Sequence, residues 1–574
     1  MLLAVVHLWS LFNPFFIDDY IYLDTVHDLG WSGVPAVLAS PTMDQDASGV
    51  WWTPYGDLPF YRPLGVLTFA VDYWLWGMNP FGYHLTNLLL HLACTFLVWR
   101  LGLRLMGDAR SSFAAAVIFG LHPAHCEAVL WISGRFDLLV CVCALASVLS
   151  YLRWRCGEGG RWRWWWLSVF WFAAGLGCKE TAIVLPGVLV LAECLRLCGG
   201  GGPRVATRGL AGAIGFGVVA ALYLAKRFAL FGGMGSLPPP YGVDLLSPGA
   251  AGQVLWNLAQ YMLDFVFFIQ VDAIYLSVFW AAHAWLLMLG AAAAVGVLVL
   301  FGRVAGETRG FRMGMVFAIL FTAPALVAMP GERNVYLACV GVALVGASVY
   351  GKLWGPTGCN PWACGFDMRR WSKVAVSAWV LMIVLEHGVM WRVAAGAEQV
   401  YQDLLTQVPD PPENARIFVV NQCPLNAVGF TQGVKLRYGR DDVVACALAL
   451  APQLEGFSTD RVYRTGRRSL KIVRQNGVFF DSFIERFLMF SEPVTELAES
   501  ARRLDLELLE QPESLAGLTE LHLGLPGDLD DAGIYLFTWD NRHVRSLVDL
   551  LWRADWPRLV PCEYQTVVAA VLQD

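Results

Sequence analysis

Eleven apolar runs decide most of what this chain can become. They cover about residues 1–17, 85–106, 111–124, 135–152, 164–178, 181–198, 209–230, 278–302, 312–329, 334–351 and 373–392. Runs of this kind cross a bilayer as helices, because lipid offers no partner for an exposed N–H or C=O group. The balance of residue types agrees: 57% are hydrophobic and 15% charged, against about 25% charged in ordinary soluble domains. The 25 Trp suit belts at the headgroup level. The expected fold is a polytopic α-helical membrane protein with about 11 transmembrane helices. The first run, Met1–Ile17, lacks a basic leader and a cleavage site, so it reads as an anchoring helix rather than a signal peptide.

Charge orients the bundle. The connections holding Arg100, Arg104 and Arg110, and those at 153–163, 196–208, 303–312 and 352–373, are basic; those between them are acidic or neutral. The positive-inside rule then puts the N-terminus in the cytoplasm and residues 18–84 outside, as the first periplasmic or lumenal loop. Gln253–Leu276 is apolar but carries Asp264 and Asp272. Counting it as a span would expose the basic 303–312 connection outside, so it reads as re-entrant or interfacial.

The composition changes near residue 393, which divides the chain into a membrane domain, 1–392, and an outer soluble domain, 393–574. Val408-Pro-Asp-Pro-Pro-Glu413 reads as a linker, and Ile417–Asn421 and Val443–Leu450 as buried strands. Asp460–Asp481 reads as a hairpin turning at Asn476-Gly477, and Phe483–Leu504 as a helix. The second domain is therefore expected to be α/β or α+β. No 34-residue period is present, which excludes a tetratricopeptide array.

Several chemistries can be set aside. The 14 Cys are scattered and form no paired framework. Cys359 and Cys364 lack the further ligands a zinc site needs. There is no P-loop and no dinucleotide fingerprint, and Gly199–Gly202 reads as a turn. Neither nucleotide-driven chemistry nor a nucleic-acid partner is expected.

What remains is a set of ionisable groups at the ends of spans, where they are expensive to place. Asp18-Asp19 ends the first run; adjacent carboxylates drive one pKa up, which suits proton abstraction from an alcohol, and a plain helix-ending pair is the alternative. His122, His125 and Glu127 could bind zinc, but Pro123 interrupts the helical geometry such a pair uses. Hydrogen bonding to a polar substrate, or a structural network, is the simpler reading. Arg135 and Asp137 form a local ion pair or orient the site. Arg62, Lys179 beside Glu180, Arg227, and Arg333 beside Glu332 and Tyr336 put cations on the outer face, against the general trend. They serve either as ion-pair partners or as holders of a lipid phosphate or diphosphate, for which Arg has a suitable fork of donors.

In order along residues 1–355, these pieces resemble a known superfamily. Asp18-Asp19, Tyr61-Arg-Pro-Leu64, Tyr83-His-Leu-Thr-Asn-Leu-Leu-Leu-His91, His122-Pro-Ala-His-Cys-Glu-Ala-Val129, Gly134-Arg-Phe-Asp137, Cys178-Lys-Glu180 and Glu332-Arg-Asn-Val-Tyr-Leu337 are similar to the GT-C glycosyltransferases. Within these they most resemble the O-mannosyltransferase-like transmembrane and tetratricopeptide family. The resemblance implies sugar transfer from a polyprenyl-phosphate donor to a hydroxyl acceptor, a protein or a glycan, with inversion. It implies an active site on the periplasmic or lumenal face: the bacterial inner membrane, or the endoplasmic reticulum in a eukaryote. Asp18 or Asp19 would activate the acceptor, and outer cations would hold the lipid phosphate. Metal dependence stays open: a divalent metal ion, if used, would fall to Asp18, Asp19, His122 and His125. The tetratricopeptide repeats of the eukaryotic relatives are replaced here by a different domain, which leaves the acceptor open. A transporter or flippase, or a non-catalytic lipid-glycan binder, is the rival reading. The charges cluster at helix ends rather than at the midplane, and no inverted repeat is visible, which weighs against transport.

Overall fold

The computed structural model describes residues 2–42, 50–52, 60–157, 161–198, 203–233, 242–267, 283–354, 368–422, 426–450, 460–474, 477–480, 485, 497–510, 512, 517–539 and 544–547. Among these, six helices are long and apolar enough to cross a membrane: Pro80–Met106, Ile132–Arg155, Gly212–Phe231, Ala284–Ala305, Arg309–Leu326 and Lys373–Gln407. A seventh is added if Ala109–Gly120 and Pro123–Leu130, bent by 58°, form one span. The eleven runs do not map one to one onto such helices, for local reasons. Short 3-10 turns at Leu8–Phe12, Glu180–Val184 and Glu332–Val335 break three of them, and the helix Arg161–Cys178 is rich in Arg and Trp. Of Gln253–Leu276, residues up to Phe267 lie in a helix, Ala250–Phe267, and the rest falls outside the described residues.

The elements that carry the site follow simple signals. Helix α1 is Asp19–His27. Helix α2, Pro63–Trp76, starts on a proline whose fixed φ suits the first helical position. Helix α3, Pro80–Met106, is capped by Asn79, which accepts from the Phe81 amide at 3.2 Å, and ends at left-handed Gly107. Helix α4 is Arg135–Arg155, and it lies in the main core of the bundle with Cys94, Val98, Phe172 and Leu344. Helix α5, Met368–Gln407, passes unbroken from the last apolar run into the strand-bearing region.

That region holds two four-stranded sheets. In the first, β1 (Arg416–Val420) pairs in parallel with β2 (Val444–Ala447) and with β7 (Ile534–Trp539), and β8 (Val544–Ser546) closes one edge antiparallel. In the second, β3 (Arg461–Arg464), β4 (Ser469–Val473), β6 (Glu520–Gly524) and β5 (Glu507–Leu508) are antiparallel. Helix α6, Phe430–Tyr438, lies between β1 and β2 in the chain. The expected hairpin is present, but it turns at 465–468, between β3 and β4. Asn476-Gly477 follows the second strand instead; Asn476, Cys359 and Cys364 lie outside the described residues, as does most of Phe483–Leu504, of which Leu497–Arg503 is helical.

The two regions share a core. Phe15, Tyr20 and Leu23, from the start of the chain, pack with Tyr401 and Leu404 of α5, Ile417 and Val419 of β1, and Phe430 of α6. Val50 extends the β2 edge by bridging Ala447 in parallel. The Trp51 indole donates to the Leu448 carbonyl at 3.0 Å, and Trp51 and Trp52 are buried against Phe480. The first loop is thus anchored in the C-terminal region.

Candidate functional site

The site begins at a sharp turn. Ile17 has φ +54°, a left-handed conformation that is a marked outlier for a β-branched residue and costs roughly 1–3 kcal/mol. The turn delivers Asp18 and Asp19 to the start of α1, where the helix dipole favours negative charge. Their roles then diverge. Asp19 is fully buried; its Oδ1 accepts from the Ser133 amide at 3.0 Å and its Oδ2 from the Phe16 amide at 3.2 Å. Asp18 is half-buried and accepts from the Ser133 hydroxyl at 2.7 Å. Burial pushes the Asp19 carboxyl well above the ordinary range, and the neighbouring Asp18 adds to the effect. Burial also raises Asp18, with attraction to Arg333 as the largest opposing influence.

Three linked ion pairs lie here, two of them through cations that act on Asp18, and none joins the sequence neighbours expected to pair. Lys179 donates to both Asp137 oxygens, at 2.6 and 2.7 Å, rather than pairing with Glu180. Glu180 instead receives the Arg62 guanidinium, with Nε 2.9 Å from Oε2. Arg333 turns from Glu332 to Glu127: its backbone amide donates to Oε2 at 2.8 Å and its Nε lies 3.3 Å from Oε1. The Arg333 guanidinium also sits 4.0 Å from the Trp131 ring centre. Burial alone would raise the Glu180 carboxyl, but Arg62 outweighs it and holds the group down at about 2. Burial lowers the Lys179 ammonium despite Asp137. Tyr22 is buried within the influence of Asp18, Arg62, Arg333 and Glu180, and nothing in the sequence had marked it. Arg227 lies against Tyr223, whose hydroxyl in turn feels Glu180 and Arg62.

Arg135 does not pair with Asp137. It is buried beneath the site, 2.6 Å from Asp72 of α2, with its guanidinium 4.2 Å from the Phe69 ring centre and a hydrogen bond to the Tyr83 carbonyl at 3.2 Å. Its place is that of a support for the helices around it.

His122, His125 and Tyr336 occupy a separate buried layer. Successive imidazoles His122, His125, His91, His7 and His387 lie 5.3–5.5 Å apart between ring centres, and the His91 Nδ1 and Tyr336 hydroxyl are 2.6 Å apart. His122 also caps its own 3-10 turn, which starts on Pro123, by accepting from the Ala124 amide at 3.3 Å. Glu332 is buried as well. The expected ligand set of Asp18, Asp19, His122 and His125 does not gather around one point. Among the described residues, three donors converge only at His27, Asp28 and Asp441, at the opposite end of α1 and largely exposed.

With this geometry in place, similarity to other proteins becomes informative. Residues 63–221 match the family described as dolichyl-phosphate-mannose-protein mannosyltransferase. Over that segment the chain is similar to mannosyltransferases. It is 39% identical over 165 residues to the protein O-mannosyl-transferase Tmtc2 of Drosophila melanogaster, covering 27% of this chain and 18% of that relative. It is 35% identical over 188 residues to the protein O-mannosyl-transferase TMTC3 of Mus musculus, covering 32% and 20%. The chain thus spans about a fifth of the length of these relatives. Among solved structures it is similar to ArnT from Cupriavidus metallidurans bound to undecaprenyl phosphate, with 13% identity, a TM-score of 0.42, and coverage of 91% of this chain and 96% of that one. An Archaeoglobus fulgidus oligosaccharyltransferase complex with Zn and sulfate gives 9% identity, a TM-score of 0.42, and coverage of 79% and 62%. The mannosyltransferase-like segment contains Arg135, Asp137, Lys179 and Glu180, together with Arg62's neighbours in α2.

Proposed function

We propose that the protein transfers a sugar from a polyprenyl-phosphate donor to a hydroxyl acceptor, with Asp18 as the base. The observation that carries this reading is the position of Asp18: only partly buried where Asp19 is fully so, at a strained turn, and in the field of Arg333 and Arg62. A carboxylate and a set of cations at one site supply both halves of such a displacement. Asp18 would take the acceptor proton as the hydroxyl oxygen bonds to the anomeric carbon. The bond from that carbon to the phosphate oxygen breaks on the opposite side, which inverts the centre. Charge then grows on the departing lipid phosphate, where Arg62, Lys179, Arg227 and Arg333 would stabilise it. Asp19, fully committed to backbone amides, would brace the turn.

The matched family and the named relatives support mannose as the sugar and protein as the acceptor. The reading places the site on the periplasmic or lumenal face, with residues 1–392 as the membrane domain and 393–574 as the outer one. The test is transfer of radiolabelled mannose from polyprenyl-phosphate mannose by the purified protein, beside Asp18→Asn. Transfer by the wild type and its loss in the variant are expected. Equal transfer by both would remove Asp18 from the mechanism.

A further inference from the structure

The strained turn that presents Asp18 does not stand alone; the C-terminal region touches it directly. Gly429, immediately before α6, has φ +74°, and a Cβ added there would lie 2.7 Å from the Ile17 carbonyl oxygen. The backbone of the C-terminal region therefore approaches the carbonyl of the left-handed residue itself, closely enough to exclude any side chain. At the second residue of α1, the Tyr20 hydroxyl accepts from Arg437 of α6 at 3.0 Å and lies 3.3 Å from the Glu398 carboxylate of α5. Arg437 and Glu398 are themselves paired, so hydroxyl, guanidinium and carboxylate close a ring across three helices. The Tyr20 ring packs 4.9 Å from that of Tyr401, which packs in turn on Phe430. Asn426 ties the loop before α6 to the Ala397 carbonyl at 2.9 Å, and Val50 and Trp51 fix the middle of residues 18–84 to Ala447 of β2 and to the Leu448 carbonyl.

A β-branched residue persists in a left-handed conformation only where its surroundings over-determine it. Here the surroundings are Ser133 and Trp131 on one side and the C-terminal region on the other. We propose that Gly429 and Arg437 are positioning residues, through which the C-terminal region holds the Ile17–Asp18 turn in the geometry that proton abstraction requires. The proposal rests on Asp18 acting as the base. It gives the C-terminal region a place inside the catalytic unit, whatever else it binds. Neither residue need touch a substrate.

The experiment uses the full chain in detergent, comparing wild type with Gly429→Ala, Arg437→Met and Arg437→Lys. Two readouts are taken: amide hydrogen exchange over residues 13–24, and kcat and donor KM with polyprenyl-phosphate mannose. Gly429→Ala and Arg437→Met are expected to speed exchange in this segment. They should also lower kcat by about tenfold to a hundredfold, the effect of misplacing a reacting group by about 1 Å, with donor KM nearly unchanged. Arg437→Lys, which keeps a donor to Tyr20 and Glu398, should recover part of the loss. If Gly429→Ala does not fold, the Arg437 pair decides the matter. Unchanged exchange in a folded Arg437→Met protein, or faster exchange with unchanged kcat, overturns the proposal. An Asp18→Asn variant run alongside separates the two ideas. If it transfers sugar as well as wild type, the base assignment fails, and the brace stands or falls on exchange alone.

Discussion

Glu127 receives Arg333 twice, once from the backbone amide at 2.8 Å and once from the guanidinium at 3.3 Å. A single carboxylate thus sets both the path of the Met329–Asn334 turn and the direction of a site cation. Glu127→Ala should lower kcat/KM by about tenfold to a hundredfold, the range expected for losing hydrogen bonds to a charged group. Glu127→Gln, which keeps an acceptor for the amide, should lose less. Steady-state transfer kinetics of the two variants check this, and equal losses would show that only the charge matters.

The two adjacent aspartates should behave very differently. Asp18→Asn should reduce transfer by about a hundredfold to ten-thousandfold, the usual contribution of a general base. Asp19 is fully buried, and both of its carboxyl oxygens accept from backbone amides, those of Ser133 and Phe16. Asp19→Asn replaces one of the two accepting oxygens with an NH2 that faces a backbone amide, so it should lower the melting temperature, a loss that Asp18→Asn should not share. Rates and thermal melts of both variants, measured together, test the division.

The Asp18 pKa is raised by burial and restrained chiefly by Arg333. A base acts when deprotonated, so the acid limb of the pH–rate profile should lie above the ordinary carboxylate range. Removing the restraint in Arg333→Met should move that limb to higher pH. A limb that stays in place would mean that another group limits the rate.

Glu180 gives a stability prediction with the opposite sign. Its folded value of about 2 lies below its ordinary 4.5, because Arg62 overcomes the effect of burial. The stabilisation it supplies is complete above about pH 4.5 and is lost as the pH falls toward 2. Melting temperature against pH for wild type and Glu180→Gln should converge at the acid end of that window.

Arg135 and Asp72 form a buried pair 2.6 Å apart. Removing one partner of such a pair typically costs about 3–5 kcal/mol, because the other charge is left buried and uncompensated. Asp72→Ala should therefore destabilise strongly. The double change of Asp72→Leu with Arg135→Met should recover much of the loss, and comparative melts would decide.

These pairs also show how far the sequence could be read. The charged positions were visible, because an ionisable group beside an apolar run stands out. Their partners were not. Lys179 and Glu180 are neighbours, but Lys179 is extended, with φ −156°, and Glu180 begins a 3-10 turn, so their side chains part toward Asp137 and Arg62. Arg135 and Asp137 are two apart on a helix, a spacing that turns them to different faces, one to Asp72 and the other to Lys179. The mixed α and β character of the C-terminal region was legible from its apolar runs. The hairpin turn was misplaced because Asn-Gly is a strong turn signal, yet the strands that pair lie on either side of Thr465–Arg468. Tyr22 and Ser133 carried no signal, being ordinary residues made important by what folds against them.

The closed ion pairs of Arg62 with Glu180, Lys179 with Asp137 and Arg333 with Glu127 bear on which anions can compete at this site. Each cation already has a carboxylate, so a small free anion such as sulfate or inorganic phosphate finds little unspent attraction there. It would have to break pairs without anything else to gain. A phosphate arriving on a long hydrocarbon chain is in a different position, because the membrane has already concentrated and oriented it before any pair need open. If these charges hold a lipid-borne phosphate, soluble anions should inhibit the site only weakly.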